Sequence, residues 1–154
     1  MSSGGSRSSA AQIIAAECVA VRLRSLNRSL TSLFDDALRP LGLRVGQLNI
    51  LVAVACMRQA KPVDLCRMLC MDKSTLSRDV KVMQRHGWLE EGTGEDARTR
   101  LLWITTAGSD LLEKCLPAWR AAQAKAKSLL GDEGTAILFR AAGTRWQIAQ
   151  APCT

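Results

Sequence analysis

The chain has 154 residues, a length that fits one domain or one core with helical extensions. Hydrophobic residues make up 47% and charged residues 23%, an ordinary globular mix that excludes wholesale disorder. Lysine and arginine outnumber aspartate and glutamate by 21 to 14, and the resulting net charge of +7 favours a polyanionic partner. The excess is spread along the chain, so a binding surface has to be found by geometry rather than by composition.

The longest apolar run, Leu48 to Met57, holds Asn49 and is shorter than the ~20 residues a bilayer-spanning helix needs, so neither an integral membrane protein nor a membrane partner is expected. Glu17 and Arg22 interrupt the apolar character near the N-terminus, which argues against a secretory leader and for a cytoplasmic protein. The cysteines are Cys18, Cys56, Cys66, Cys70, Cys115 and Cys153. Most sit inside apolar runs, in a chain too long and too apolar to need a disulfide framework, so they read as small buried hydrophobes in a reducing compartment. There is no C-x-x-C and a single histidine, so no metal site and no cofactor are expected.

In chain order, residues 1–9 are rich in serine and glycine and read as a disordered tail. From Ala10 to Leu38 the apolar residues Ile14, Cys18, Val21, Leu26, Leu30, Leu33, Phe34 and Ala37 recur at helical spacing, and Pro40 with Gly42 ends the run. A second helix, Val45 to Met57, is apolar on most sides and is expected deep in the core. Pro62 opens a short third helix whose buried face is Val63, Leu65, Cys66 and Leu69. Asp72 has the chemistry of an N-cap for a fourth helix from Lys73 to His86, with Gly87 as its left-handed stop. Trp88–Glu91 and Leu101–Ile104 have strand character around a Gly-rich loop, which makes a β-hairpin. Thr105 or Thr106 caps a long fifth helix reaching Leu130 with a bend at Pro117. Gly131 stops it, and a last helix starts at Asp132 and runs to Ala149.

The order is helix, helix, helix, helix, hairpin, helix, helix. Two short helices joined by a tight turn and followed by a hairpin make a winged helix–turn–helix. The fold class is therefore mainly α with a small β-hairpin, the winged domain being flanked by long N- and C-terminal helices.

The fourth helix is the most informative segment. At ~100° per residue, Val80 and Met83 fall close to Leu76 and form a narrow buried stripe. Ser74, Ser77, Arg78, Lys81 and Arg85 share the outward face, with no carboxylate among them, while Asp79 points elsewhere. A helix N-terminus with hydroxyls and cations suits phosphates and base edges. Taken alone, this is equally an ordinary solvated helix face. The preceding helix, the turn and the hairpin turn the balance to DNA binding.

The run Pro62-Val63-Asp64-Leu65-Cys66-Arg67-Met68-Leu69, then Asp72-Lys73-Ser74-Thr75-Leu76-Ser77-Arg78, then Gly87-Trp88-Leu89 resembles the helix–turn–helix of MarR-type (multiple antibiotic resistance regulator) transcription regulators. Asp96-Ala97-Arg98 is similar to that family's D-x-R wing, and Leu102-Trp103-Ile104-Thr105-Thr106-Ala107-Gly108 is similar to its strand-to-helix signature. Leu41-Gly42-Leu43 followed by Gln47 is in the same style. Glu90-Glu91 departs from the pattern, standing where the family often has a basic residue.

The resemblance implies a homodimer on a pseudo-palindromic double-stranded DNA operator, working as a ligand-responsive repressor in the bacterial cytoplasm, associated with the nucleoid when bound. Residues 10–154 would form one unit. Within it, 10–44 and 105–150 would dimerise and 45–104 would form the DNA-binding lobe. The wide apolar arc of Ile137, Leu138, Phe139, Ala141, Trp146 and Ile148 agrees with a buried dimer helix. DNA contacts are expected from Lys73, Ser74, Thr75, Ser77, Arg78, Lys81 and Arg85, joined by Arg98 at the wing tip and by Arg100. Asp96 would brace Arg98, a role the resemblance favours over a surface ion pair of little consequence.

Trp88, Trp103, Trp119 and Trp146 pack the core or line a pocket for a small aromatic effector. His86 reads as a helix-end cap. Cys18, on the first helix, is similar in placement to the reactive cysteine of a hydroperoxide-sensing branch of that family, which implies an alternative in which the regulator senses redox through a thiol. That branch supports its cysteine with tyrosines, and this chain has none. A cysteine-dependent enzyme has no visible Cys–His–Asx constellation, so no enzyme is expected. A helical protein-interaction module without DNA binding is the remaining alternative, and the carboxylate-free face of the fourth helix and Arg98 speak against it.

Overall fold

In the computed structural model, residues 9–94 and 99–143 are described. The N-terminal tail, the wing tip with Asp96 and Arg98, and Trp146, Ile148 and Cys153 lie outside these residues.

The first helical run is two helices rather than one, α1 (Ala10–Glu17) and α2 (Val19–Leu38). Ser9 and Gln12 form a reciprocal capping box at the start of α1. The break falls at Cys18, whose backbone is extended. The Arg22 guanidinium donates to the carbonyl of Ala16, in the last turn of α1 where the break removes the helical donor, and also to that of Cys18. Apolar periodicity crosses the break without interruption, so the sequence pattern gave no sign of it.

A 3₁₀ turn, Arg39–Leu41, and Gly42 at φ +69° end α2. The next helix, α3 (Val45–Met57), starts where the Asp35 carboxylate accepts from the Val45 N–H at 2.7 Å and Gln47 accepts from the Arg44 N–H at 3.2 Å. Its Leu48, Ile50, Leu51, Ala53 and Val54 are buried, so α3 is the central helix the composition predicts. Around it pack α4 (Pro62–Leu69) and α5 (Lys73–Arg85), the pair of the helix–turn–helix. Leu65 and Met68 anchor α4, and Leu76, Val80 and Met83 anchor α5.

Gly87, at φ +71°, turns the chain into β1 (Leu89–Thr93), which pairs antiparallel with β2 (Arg100–Ile104) in the register Leu89 to Ile104 and Glu91 to Leu102. Ala60 adds a further bridge. It exchanges two 2.9 Å backbone hydrogen bonds with Leu102, fixing the hairpin to the segment that enters α4.

Thr105 caps α6 (Thr106–Ala142) by accepting from the Gly108 N–H, and its hydroxyl donates to the Gly87 carbonyl at 2.6 Å. One side chain thus joins the end of α5, the hairpin and the last long helix. Gly108 is required here, since a Cβ would stand 2.3 Å from the Trp88 carbonyl oxygen. The helix runs through Pro117. Its departure from helical dihedrals falls at Gly131 (φ 68°, ψ 171°), where the sequence places the stop. α6 packs along α2, and Leu111, Cys115, Ala122 and Ala126 are its buried residues besides Gly108.

No single helix among the described residues is long and apolar enough to cross a membrane. Ile13, Ile14, Val19, Val21 and Leu23 at one end, and Leu129, Ile137, Leu138 and Phe139 at the other, are exposed.

Candidate nucleic-acid interface

The buried stripe of α5 fixes what faces outward. Lys73, Ser74, Ser77, Arg78, Lys81 and Arg85 are exposed and Thr75 is half-buried. Asp79, on the flank, is half-buried and accepts from the Gln47 amide at 3.4 Å, so the outward face carries hydroxyls and cations without a carboxylate.

The N-terminus of α5 is more tightly organised than an N-cap signal alone implies. Asp72 accepts from the Thr75 N–H at 2.8 Å, the Ser74 hydroxyl at 2.6 Å and the Thr75 hydroxyl at 2.7 Å. Arg78 in turn donates to the Thr75 hydroxyl oxygen at 3.4 Å. Ser74 and Thr75 therefore spend their hydroxyl protons on the cap, which leaves Lys73, Ser77, Arg78, Lys81 and Arg85 as the outward donors.

These hydrogen bonds, the Ser74 hydroxyl first and then Thr75, hold the Asp72 carboxyl well below the usual carboxylate range. A folded value below the unfolded one stabilises the protein above about pH 4, and the contribution fades as the pH falls toward the folded value. Asp72→Ala is therefore expected to melt at a lower temperature than the wild type at pH 7, with the gap narrowing below about pH 4. Thermal melts at pH 7 and pH 3 check it, and a gap that does not narrow in acid would contradict the role given to the ionised cap.

The hairpin presents two different faces. On one, Glu90 lies opposite Trp103 and accepts from its indole N–H at 3.0 Å. On the other, Leu89 and Glu91 share the side turned to α5. Glu91 forms an ion pair with Arg100 and accepts from the Gln84 amide at 3.2 Å. Arg100 is thus placed beside α5, already engaged by a carboxylate. A cleft of about 320 Å³ lies there, with Leu76, Val80 and Leu102 among its apolar lining and Lys73, Lys81 and Arg100 as its cations. Sequence reasoning missed Glu91 as a site residue. The available signal was its parity with the buried Leu89, which puts a carboxylate on the inward side of a strand.

His86 does stand at the end of α5, and its ring also stacks on Trp88 with centroids 4.4 Å apart. Trp88 and Trp119 pack against the core. Cys70 is exposed rather than buried, because it follows the last turn of α4 in a left-handed conformation with its thiol 4.0 Å from the Arg67 carbonyl. Cys115 is buried, and burial pushes its thiol up, away from the reactive thiolate. Among the described residues, no group of three or more His, Cys, Asp or Glu side chains could hold a metal ion.

No family model matches the chain. It is 28% identical over 114 residues to the multiple antibiotic resistance protein MarR of Escherichia coli K12, a match covering 72% of this chain and 79% of that protein. Among solved structures, the transcriptional regulator MOSR of M. tuberculosis, in complex with DNA, is 31% identical with a TM-score of 0.69, covering 82% of this chain and 97% of that one. A mutant MarR from E. coli complexed with operator DNA has a TM-score of 0.74 at 23% identity, covering 82% and 91%, and speaks for the fold. The helix–turn–helix with its hairpin and the long flanking helices coincide with the resemblance carried by residues 62–108, and with these relatives beside it the chain belongs to the MarR family of transcription regulators.

Proposed function

We propose that the protein is a homodimeric, DNA-binding transcription regulator that holds α5 of each protomer in the major groove of one half of a pseudo-palindromic operator, and that it represses until a small effector releases it. The observation that carries this reading is the outward face of α5, built of Lys73, Ser77, Arg78, Lys81 and Arg85 over a firmly buried stripe and capped by Asp72. Arg and Lys there can reach guanine edges or phosphates, and Ser77 can do either. Two recognition helices about 34–36 Å apart would read symmetric half-sites. Grooves of about 740 Å³ between α2 and α6, and about 620 Å³ where α2, α3 and α5 meet, give an effector room beside the elements that set that spacing. The site of action would be the cytoplasm.

A gel shift on fragmented genomic DNA over a range of salt tests the reading. Binding should weaken steeply as salt rises, and no retained fragment at low salt would end the proposal.

Arg98, braced by Asp96, is proposed to enter the minor groove from the wing tip. The segment Glu95, Asp96, Arg98 and Arg100 carries as many acids as bases, so bulk attraction cannot give the wing a role and placement must. Arg98→Ala is expected to lose most affinity on operators with A·T-rich flanks, where a narrow groove concentrates negative potential. Salt titrations on A·T- and G·C-rich flanking variants check this. Equal losses on both would make Arg98 a backbone contact, and no loss would take the wing off the DNA.

A further inference from the structure

We propose that Glu91 is a built-in competitor of the DNA phosphate, holding Arg100 in a neutral pair on the DNA-facing side and so limiting how tightly the protein grips any duplex. The inference rests on the DNA-binding reading and deepens it.

Three observations carry it. First, the register places Glu91 opposite Leu102, so Arg100, two residues before Leu102, lies diagonal to Glu91 on the face turned to α5. Second, both carboxylate oxygens are used: Oε1 pairs with the Arg100 guanidinium and Oε2 accepts from Gln84 on the recognition helix. Third, the two partners differ in exposure. The Glu91 side chain is 19% exposed and that of Arg100 is 73% exposed. The carboxylate is therefore the fixed element, held between strand and helix, and the cation is the outward one. Arg100 shares its cleft with Lys73 and Lys81, so a phosphate arriving over α5 meets three cations of which one is already neutralised.

A phosphate oxygen and a carboxylate oxygen offer a guanidinium the same kind of charge-assisted hydrogen bond. DNA can use the full charge of Arg100 only by displacing Glu91. Glu91 then remains with Gln84 as a half-buried negative charge near the backbone. In a dimer the penalty counts twice. It applies to every sequence alike, so it lowers non-specific residence while leaving base readout by α5 to decide the site.

Replacing Glu91 by glutamine keeps the length and an acceptor for Gln84 while removing the charge. Glu91→Gln is expected to bind a random-sequence duplex about tenfold or more tightly at 0.1 M salt, with a salt slope steeper by about 1.8 per dimer from two released cations. The proposal requires that the gain pass through Arg100. The Glu91→Gln/Arg100→Ala double variant, compared with Arg100→Ala, should therefore show much less of it. Glu90→Gln makes the same change of charge one residue away on the opposite face, and its gain should be well below that of Glu91→Gln.

Wild-type binding to the same duplex at low salt, measured alongside, separates the two readings. If the wild type does not bind, DNA binding fails and this inference with it. If it binds but Glu91→Gln matches Glu90→Gln, keeps its gain without Arg100, or binds more weakly, only the competitor role is overturned. Melting curves accompany each variant. Glu91→Ala, read against the same controls, replaces Glu91→Gln if the glutamine variant does not fold.

Discussion

Arg78→Ala is expected to weaken specific DNA binding by about 30-fold to about 10⁴-fold, because a dimer loses two contacts each carrying about 1–3 kcal/mol. Arg78 lies on the exposed side of α5, opposite the stripe of Leu76, Val80 and Met83, with its guanidinium resting on the Thr75 hydroxyl. That contact aims the side chain off the first turn of the helix, where the partial positive charge of the N-terminus also attracts the backbone of the duplex. Removing the side chain leaves the core of the helix and the Asp72 cap in place, so the melting temperature should barely move. Arg78→Lys should recover only part of the affinity, since an ammonium keeps the charge but lacks the planar, pre-organised fork with which a guanidinium pairs to a guanine edge. Titrations of the variants on the selected operator and on an unrelated duplex check the assignment. A contact to a base lowers affinity for the operator far more than for unrelated DNA, whereas a phosphate contact lowers both. If Arg78→Ala binds its operator as tightly as the wild type, α5 does not sit in the groove as proposed.

The helices of the winged helix–turn–helix are legible because their signals are local. α3 is apolar nearly all round, α4 opens on Pro62, and α5 starts at Asp72 and stops before Gly87. Each is a cap or a period that a few residues carry. The break at Cys18 was not legible, since Ile14, Cys18 and Val21 keep helical spacing across it and the compensating donors come from Arg22 one turn later. Pro117 predicts a bend, yet the departure from helical dihedrals is at Gly131, whose missing Cβ allows a left-handed backbone angle. The bridge at Ala60 was hidden for another reason. It depends on a long-range pairing with Leu102, and neither residue's neighbourhood announces it. The same holds for the interface. The outward face of α5 follows from one helix's period, whereas the pairing of Glu91 with Arg100 and Gln84 requires knowing which side of the hairpin meets which helix.

The exposed ends of the long helices lead to the other large effect. After Gly131, Ile137, Leu138 and Phe139 are 50%, 37% and 60% exposed, and at the N-terminal end Ile14 and Val19 are 64% and 66% exposed. Fully burying an isoleucine or phenylalanine contributes about 1.5–3 kcal/mol, so leaving this surface in water is costly, and a second copy related by a two-fold axis is the partner the proposed function requires. Ile137→Asp combined with Phe139→Asp puts a carboxylate at each position and counts twice in a symmetric dimer. With side chains already about half buried, the loss is on the order of 3–6 kcal/mol, enough to weaken dimerisation by about 10²-fold to 10⁴-fold. Both residues are exposed and stand outside the core cluster built around α3, so the lobe should stay folded. Operator binding should nevertheless fall by a factor on the order of 10² to 10⁴, because two linked half-site contacts become one. Removing the chain from Asp132 onward should act in the same direction. Sedimentation at micromolar protein and titration on the operator measure the two effects. A full-length chain that sediments as a monomer and still holds its operator tightly, or a double variant that dissociates without losing affinity, would remove the dimer from the mechanism.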